Sequence, residues 1–429
     1  PGTGAVHTAG RPFRIDAVAQ NGAGIPATTT LYAPDAGQPV AMVTQCASGT
    51  AACVATPATL TLGAWSAAAG VITTTTASYG DVGSFDLGLE DQTFSNIDDA
   101  DGTSSATRFI RSASALTVGR FVPDHFAIDA GAVITPRSDI AACSGSSFTY
   151  MSERMDFVFT LRARAFGGSD TANYAGALSA LPLNAAASYD FGAIDSAAPT
   201  PLNGARLDLS LIPGIAASWV AGVAAVSAPL AISRAATPDG PFGSVRIGIA
   251  PSDADGVVLQ TLDLDADNSG SNERGQVGGT TAVRFGRLRM ENAVGSEKLD
   301  LPIPIQVQYW AGTAFQTNTA DSCTSITATN IQFSDYFGGI DATNMNSANV
   351  SGLGAPFASG VGSFTLTKPL PAPGSPGAVT VTVDLSAEAK SYLKGNWGVP
   401  TYTADPRSRA AFGLYGGQPP NFIYFRENY

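Results

Sequence analysis

The chain has 429 residues, of which 14% are charged, a formal net charge of −12 and a sequence pI near 4.5. An acidic surface argues against nucleic acid and against anionic membrane as partners, since both would repel it. The length allows two to four domains, each with its own core, and the start at Pro1, without an initiator Met or signal peptide, reads as a processed or truncated product.

Taken in order, the predicted elements are short strands almost throughout. Residues 1–10 are polar and Gly-rich and read as a free arm, and residues 13–18 read as the first strand. Turn signals follow at Asn21-Gly22, Pro26 and Pro34-Asp35-Ala36-Gly37. Cys46 and Cys53 are near enough to close a small loop at a hairpin end. With further strands at 59–62, 71–76 and 84–89, the spacing predicts an immunoglobulin-like sandwich over 1–118.

A second sandwich is predicted over 119–330. Phe157, Phe159, Leu161, Ala163 and Ala165 alternate with outward Arg162 and Arg164, and Val245, Ile247 and Ile249 repeat the pattern. Residues 211–232 are uncharged and long enough for a bilayer, but Pro213, Gly214, Gly222 and Pro229 break them. They read as two short strands with a turn around Trp219, and no membrane span is expected.

Between 281 and 323 the pattern is clearest. Leu299, Leu301, Ile303, Ile305, Val307 and Tyr309 alternate with polar residues and with Pro302 and Pro304, which predicts a half-buried strand. The prolines mark its start or a sheet edge. Val283 and Phe285 share one phase, Leu288 and Met290 the other, so a β-bulge is predicted near Gly286–Arg287. Residues 293–296 read as the turn joining these two antiparallel strands, which close the second domain near Cys323.

From 331 to 429 the chain turns to Gly, Ser, Asn and Pro, with 369–377 resembling a linker. Val379, Val381, Val383 and Leu385 make another strand, 387–394 the one plausible helix, and 410–429 two more strands. This part forms a third sandwich or completes the second. Cys143 and Cys323 are left for each other, although four cysteines permit three pairings. Four cysteines suit an oxidising compartment if they pair.

These stretches also carry a resemblance. VRFGRLRMENAVGSEKLDLPIPIQVQYW with the following NTADSC, VGRFVPDHF at 118–126, SDADGV at 252–257 and the tail from Ala410 to Tyr429 resemble the extracellular C-terminal domain of unknown function of the MSHA-type pilus biogenesis proteins MshQ. The resemblance runs from about residue 79 to the C-terminus, in the family's order. It implies an extracellular, cell-surface protein associated with type IV pili, and supplies neither reaction nor ligand. The Asp-rich stretch expected in the family between Tyr392 and Pro406 is reduced here to Asp405-Pro406.

Chemistry finds few candidates. His7 and His125 are the only histidines, and G-x-S-x-G is absent, so a non-enzymatic protein is expected and a hydrolase is the weakest reading. Asp124-His125 invites a triad reading, but neighbours in a strand point to opposite faces. Asp263, Asp265 and Asp267 would share a face of an acidic loop, with Asp253 and Asp255 adding ligands from a neighbouring one; calcium is the candidate ion. Against calcium, no glutamate stands where an EF-hand loop needs one, and Asn268 takes its glycine position when counted from Asp263. Trp65, Trp219, Trp310 and Trp397 are candidates for a sugar platform. Phe422, Ile423, Tyr424 and Phe425 would be an exposed apolar patch unless paired, which with the N-terminal arm suggests assembly by strand addition. The expectation is a structural or adhesive protein whose partners are pilus or other cell-surface proteins. The alternatives are a self-associating filament or sheath subunit and a calcium-dependent carbohydrate-binding module.

Overall fold

The computed structural model describes residues 6–47, 49–369 and 376–413. Its strands form six sheets that pair into three β-sandwiches.

The first sandwich joins Phe13–Val18, Val71–Tyr79 and Leu60–Thr61 to a sheet of His7–Thr8, Leu116–Val122, Gly83–Asp91 and Val40–Thr44. Tyr79, Phe85 and Phe121 stack between them, with Leu60 and Leu87. The expected free arm is not seen from His7 on. His7–Thr8 pair in parallel with Phe121–Val122, the Ala9 amide donates to the Val122 carbonyl, and Ala9 is fully buried.

In the second sandwich Met155–Arg164 lies between His125–Ile128 and Val223–Ile232. The facing sheet runs Phe148–Tyr150, Thr281–Arg284, Phe242–Ile249, Gly192–Asp195. The predicted inward residues Phe157, Phe159, Leu161 and Ala163 meet Val245, Ile247 and Ile249 in the core. Within 211–232, one ten-residue strand replaces the second of the expected short strands, and a single 3-10 turn, Ile212–Gly214, replaces the first. Among the described residues no helix is long and apolar enough to cross a membrane.

The third sandwich begins at Gly286, not at 331. Gly286–Met290, Leu301–Trp310 and Val361–Leu366 form one sheet; Ala293–Gly295, Arg407–Phe412, Gly377–Val383 and Ile331–Gly338 form the other. The phase change at 285–286 is therefore the crossing of one extended segment from the second sandwich to the third, not a bulge. Thr281–Arg284 pairs with the strand Phe242–Ile249, and two residues later Gly286 pairs with Tyr309. Residues 293–295 are not a simple turn either, because they pair in parallel with Ala410–Phe412 in the opposite sheet. Pro302 and Pro304 sit where Leu301–Trp310 pairs with Val361–Leu366, beyond the reach of Gly286–Met290, so neither ring interrupts a ladder bond on that side.

No helix forms over 387–394. Asp384 accepts from the amides of Ser386 and Ala387, Ala389 takes φ +55°, and only a 3-10 turn at Ser391–Leu393 follows. Much of the linker-like stretch lies outside the described residues, as do 414–429.

Candidate functional site: an acidic hairpin and a buried joint

The acidic loop is a hairpin. Leu264 bridges Arg274 in antiparallel register, and residues 265–273 form the turn. Leu264 and Ala266 point inward and pack with Ile194, which forces Asp265 and Asp267 outward. Ligand oxygens of Asp265, Asp267 and Glu273 lie within 4.8 Å of one another. Three carboxylates this close repel one another unless solvated or bridged by a cation. Asp265 already accepts from the Ser269 amide at 3.0 Å and the Gly270 amide at 2.8 Å, and Asp267 from Ser269 at 3.0 Å. The Ser269 side chain, and after it the Ser269 amide, hold the Asp267 carboxyl below the usual range.

The expected ligand set is only partly assembled. Asp263 accepts from the Gln276 amide at 2.7 Å and is not in the cluster. Asp253 and Asp255 serve elsewhere. Asp253 accepts from Tyr174 Oη at 3.0 Å and from two backbone amides, and burial raises its pKa. Asp255 forms a two-pronged pair with Arg120, both hydrogen bonds at most 2.6 Å long. Glu273 was not anticipated. Counting from Asp265 rather than Asp263 puts Gly270, at φ +92°, on the sixth position, where an EF-hand loop needs its glycine. The twelfth position is then Gln276, so the bidentate glutamate of that motif is missing.

A second site, invisible in the sequence, lies where the second and third sandwiches meet. Arg137, Glu153 and Asp321 have no exposed side-chain surface. Arg137 Nε donates to Glu153 at 2.9 Å, and its Nη1 lies 3.1 Å from Asp321. Nη2 donates to Thr324 Oγ1 at 2.8 Å. Tyr150 Oη and Thr324 Oγ1 both donate to Asp321, and Asn318 Nδ2 donates to Tyr150 Oη. Arg137 also lies over the rings of Phe148 and Tyr150, 5.2 and 5.0 Å from their centroids. Burial works against the Asp321 carboxylate, yet Arg137 and the donors from Thr324 and Cys323 hold its pKa below the usual range. Glu153 moves the other way, because its burial outweighs the same arginine.

Cys143 and Cys323 are bonded beside this cluster, and Cys46 is bonded to Cys53. The longer bridge ties the second sandwich to the third. Phe148 and Tyr150 tie them again, because their strand pairs with Thr281–Arg284 of the second sandwich while their side chains belong to the third core.

The other candidates are structural in their surroundings. His125 is buried and its Nδ1 lies 2.9 Å from Asp124 Oδ2, so the two side chains do meet, contrary to the opposite-face expectation. Asp124 precedes the strand and also holds Arg11 at 2.7 Å. Among the described residues, no serine or cysteine hydrogen-bonds to His125. Trp219 is core, stacked on Phe126; Trp65 donates to the Pro39 carbonyl; Trp310 packs on Phe315. Trp397 lines a surface pocket. Phe422, Ile423, Tyr424 and Phe425 lie outside the described residues.

The three sandwiches and their two disulfides define a tandem of immunoglobulin-like β-sandwiches. Residues 81–278 match the family model of DUF6701, third domain, and residues 284–428 that of DUF6701, fourth domain. The chain belongs to this uncharacterised family, and the gap between the two matches ends just before the crossing at 285–286. The crystal structure of the I9-I11 tandem from titin aligns over 94% of this chain and 93% of that chain, at 6% identity and a TM-score of 0.26. No curated protein matches the chain.

Proposed function

We propose that the chain is a non-enzymatic extracellular protein, structural or adhesive in role, and associated with type IV pili. The observation that carries this reading is the joint. A buried ion cluster, a disulfide and a shared strand hold the second and third sandwiches together, an arrangement suited to bearing load at a cell surface. Two disulfides fit an oxidising compartment. The pilus association rests on the sequence motifs around 118–126, 252–257 and 284–323. The docked segment from His7 to Gly10 supports this reading over a filament joined by strand addition from that arm, because those residues are already paired within their own sandwich.

The test is cross-linking on intact cells, followed by purification of the chain and electron microscopy of the product. Recovery with pilin, as a monomer or small complex on fibres, is expected. Recovery in fractions free of pilin would sink the pilus association, and ordered polymers of the chain alone would favour the filament.

A further inference from the structure

We propose that the outer face of the third sandwich carries a binding pocket for an acidic sugar, with Trp397 as its platform and Arg407 and Arg409 as its charge readers. The pocket has a volume of about 270 Å³ and is lined by Asn292, Thr380, Trp397, Arg407, Ser408 and Arg409. That is just under the size at which enclosing ligand sites begin, about 300 Å³, so it suits one residue of a chain lying across the surface.

Arg407 and Arg409 are two residues apart in one strand and therefore share a face. In a protein of net charge −12, neither enters an ion pair among the described residues. Arg409 instead donates to the Asp335 carbonyl and to Thr380, while Arg407 is exposed. A guanidinium with no carboxylate of its own offers a planar fork that matches a ligand carboxylate.

The indole is placed deliberately beside them. Arg287 lies 4.8 Å from the Trp397 ring centroid and 3.7 Å from that of Phe315, which fixes the Trp from the sandwich side. Trp397 Nε1 is buried with no hydrogen-bond partner. A Cβ at Gly395 would clash with that nitrogen, and one at Gly398, at φ +78°, would clash with Arg407 Nη2. Glycine at both positions lets the loop close down onto the arginine. Nε1 faces Gly395 inside the loop, so the indole offers the pocket its ring rather than its donor, and a pyranose presents an apolar C–H face to such a ring. A neutral sugar would leave the arginines unmatched, and a simple anion would leave the Trp unused. A pyranose bearing a carboxylate uses both.

The experiment is titration calorimetry on the full chain with tetragalacturonate and a hyaluronan tetrasaccharide, against methyl-esterified tetragalacturonate and sodium sulfate. At least one acidic oligosaccharide is expected to bind, and the ester at least tenfold more weakly. Arg407→Gln should weaken binding by roughly tenfold or more, the loss of one charge-assisted hydrogen bond, with an unchanged melting temperature. Trp397→Ala should weaken binding as much, with a lower melting temperature from its lost packing on Arg287. No binding by either acidic oligosaccharide, equal binding of acid and ester, or binding indifferent to both substitutions would overturn the proposal. The inference deepens the adhesive reading, but the two fail separately: sugar binding is measured without pili, and pilin recovery without sugar.

Discussion

At the scale of single residues, the buried joint dominates. Removing one partner of a buried, hydrogen-bonded ion cluster typically costs about 3–5 kcal/mol, because the charge left behind has no water to turn to. Asp321→Asn should therefore destabilise the protein by about 3 kcal/mol in denaturant unfolding at neutral pH. The pH dependence has a definite sign. The Asp321 pKa lies below its ordinary 3.8 in the fold, so its contribution is complete above that value and is lost as pH falls through the folded pKa. Between pH 5 and the acid transition, about the range over which folded carboxylates protonate, Asp321→Asn should show a flatter stability curve than the wild type. Equal slopes would show that Asp321 is not depressed. Millimolar calcium against an EDTA control tests the acidic hairpin: a rise of a few degrees in melting temperature, absent in Asp265→Asn, would put the ion there. An unchanged melting temperature would remove calcium from the hairpin. Asp265 and Asp267 were legible from alternation alone. Glu273 was not, because only the pairing of Leu264 with Arg274 brings it back across the turn. Arg137, Glu153 and Asp321 were illegible for the same reason: 184 positions separate Arg137 from Asp321, and nothing local marks either.

At the scale of elements, period-two alternation found the strands and missed their partners. The strand Leu301–Trp310 and its two prolines stand within two residues of where the alternation put them, since the alternating pattern depends only on one buried face. The change of phase at 285–286 was also visible. Its cause was not, because a bulge and a crossing between sheets produce the same inversion. The domain boundary drawn at 330 followed from that ambiguity. Gly286 makes the crossing possible: a Cβ there would clash with the Tyr150 ring and meet Leu393 at 2.9 Å. Gly286→Ala should destabilise by about 1–3 kcal/mol, as overpacking does, whereas Gly243→Ala, with open space around it, should stay within about 0.5 kcal/mol. Equal effects in chemical denaturation would refute the close approach.

At the scale of the whole molecule, the joint sets how the chain melts. The first sandwich meets the second through side-chain contacts such as Arg120–Asp255 and Asn173–Asp81, together with the docked N-terminal segment. The second and third share a strand, a core margin and a disulfide. Calorimetry should therefore resolve two transitions, one for the first sandwich and one in which the other two unfold together. Replacing Cys143 and Cys323 with serine should lower the second transition, by an amount corresponding to roughly 5 kcal/mol on the chain-entropy model. Three transitions in the wild type would mean the joint does not couple its neighbours.

The bridge from Cys143 to Cys323 also changes what a pull on the chain's two ends can do. Tension runs along the backbone into Cys143 and out of Cys323, bypassing the chain between them, a sequence separation of 180. That loop stores about 600 Å of contour length that stretching cannot release while the bond holds. Most of the second sandwich and the opening strands of the third are thereby shielded from force, and the first sandwich and the C-terminal strands are left as the parts that can yield.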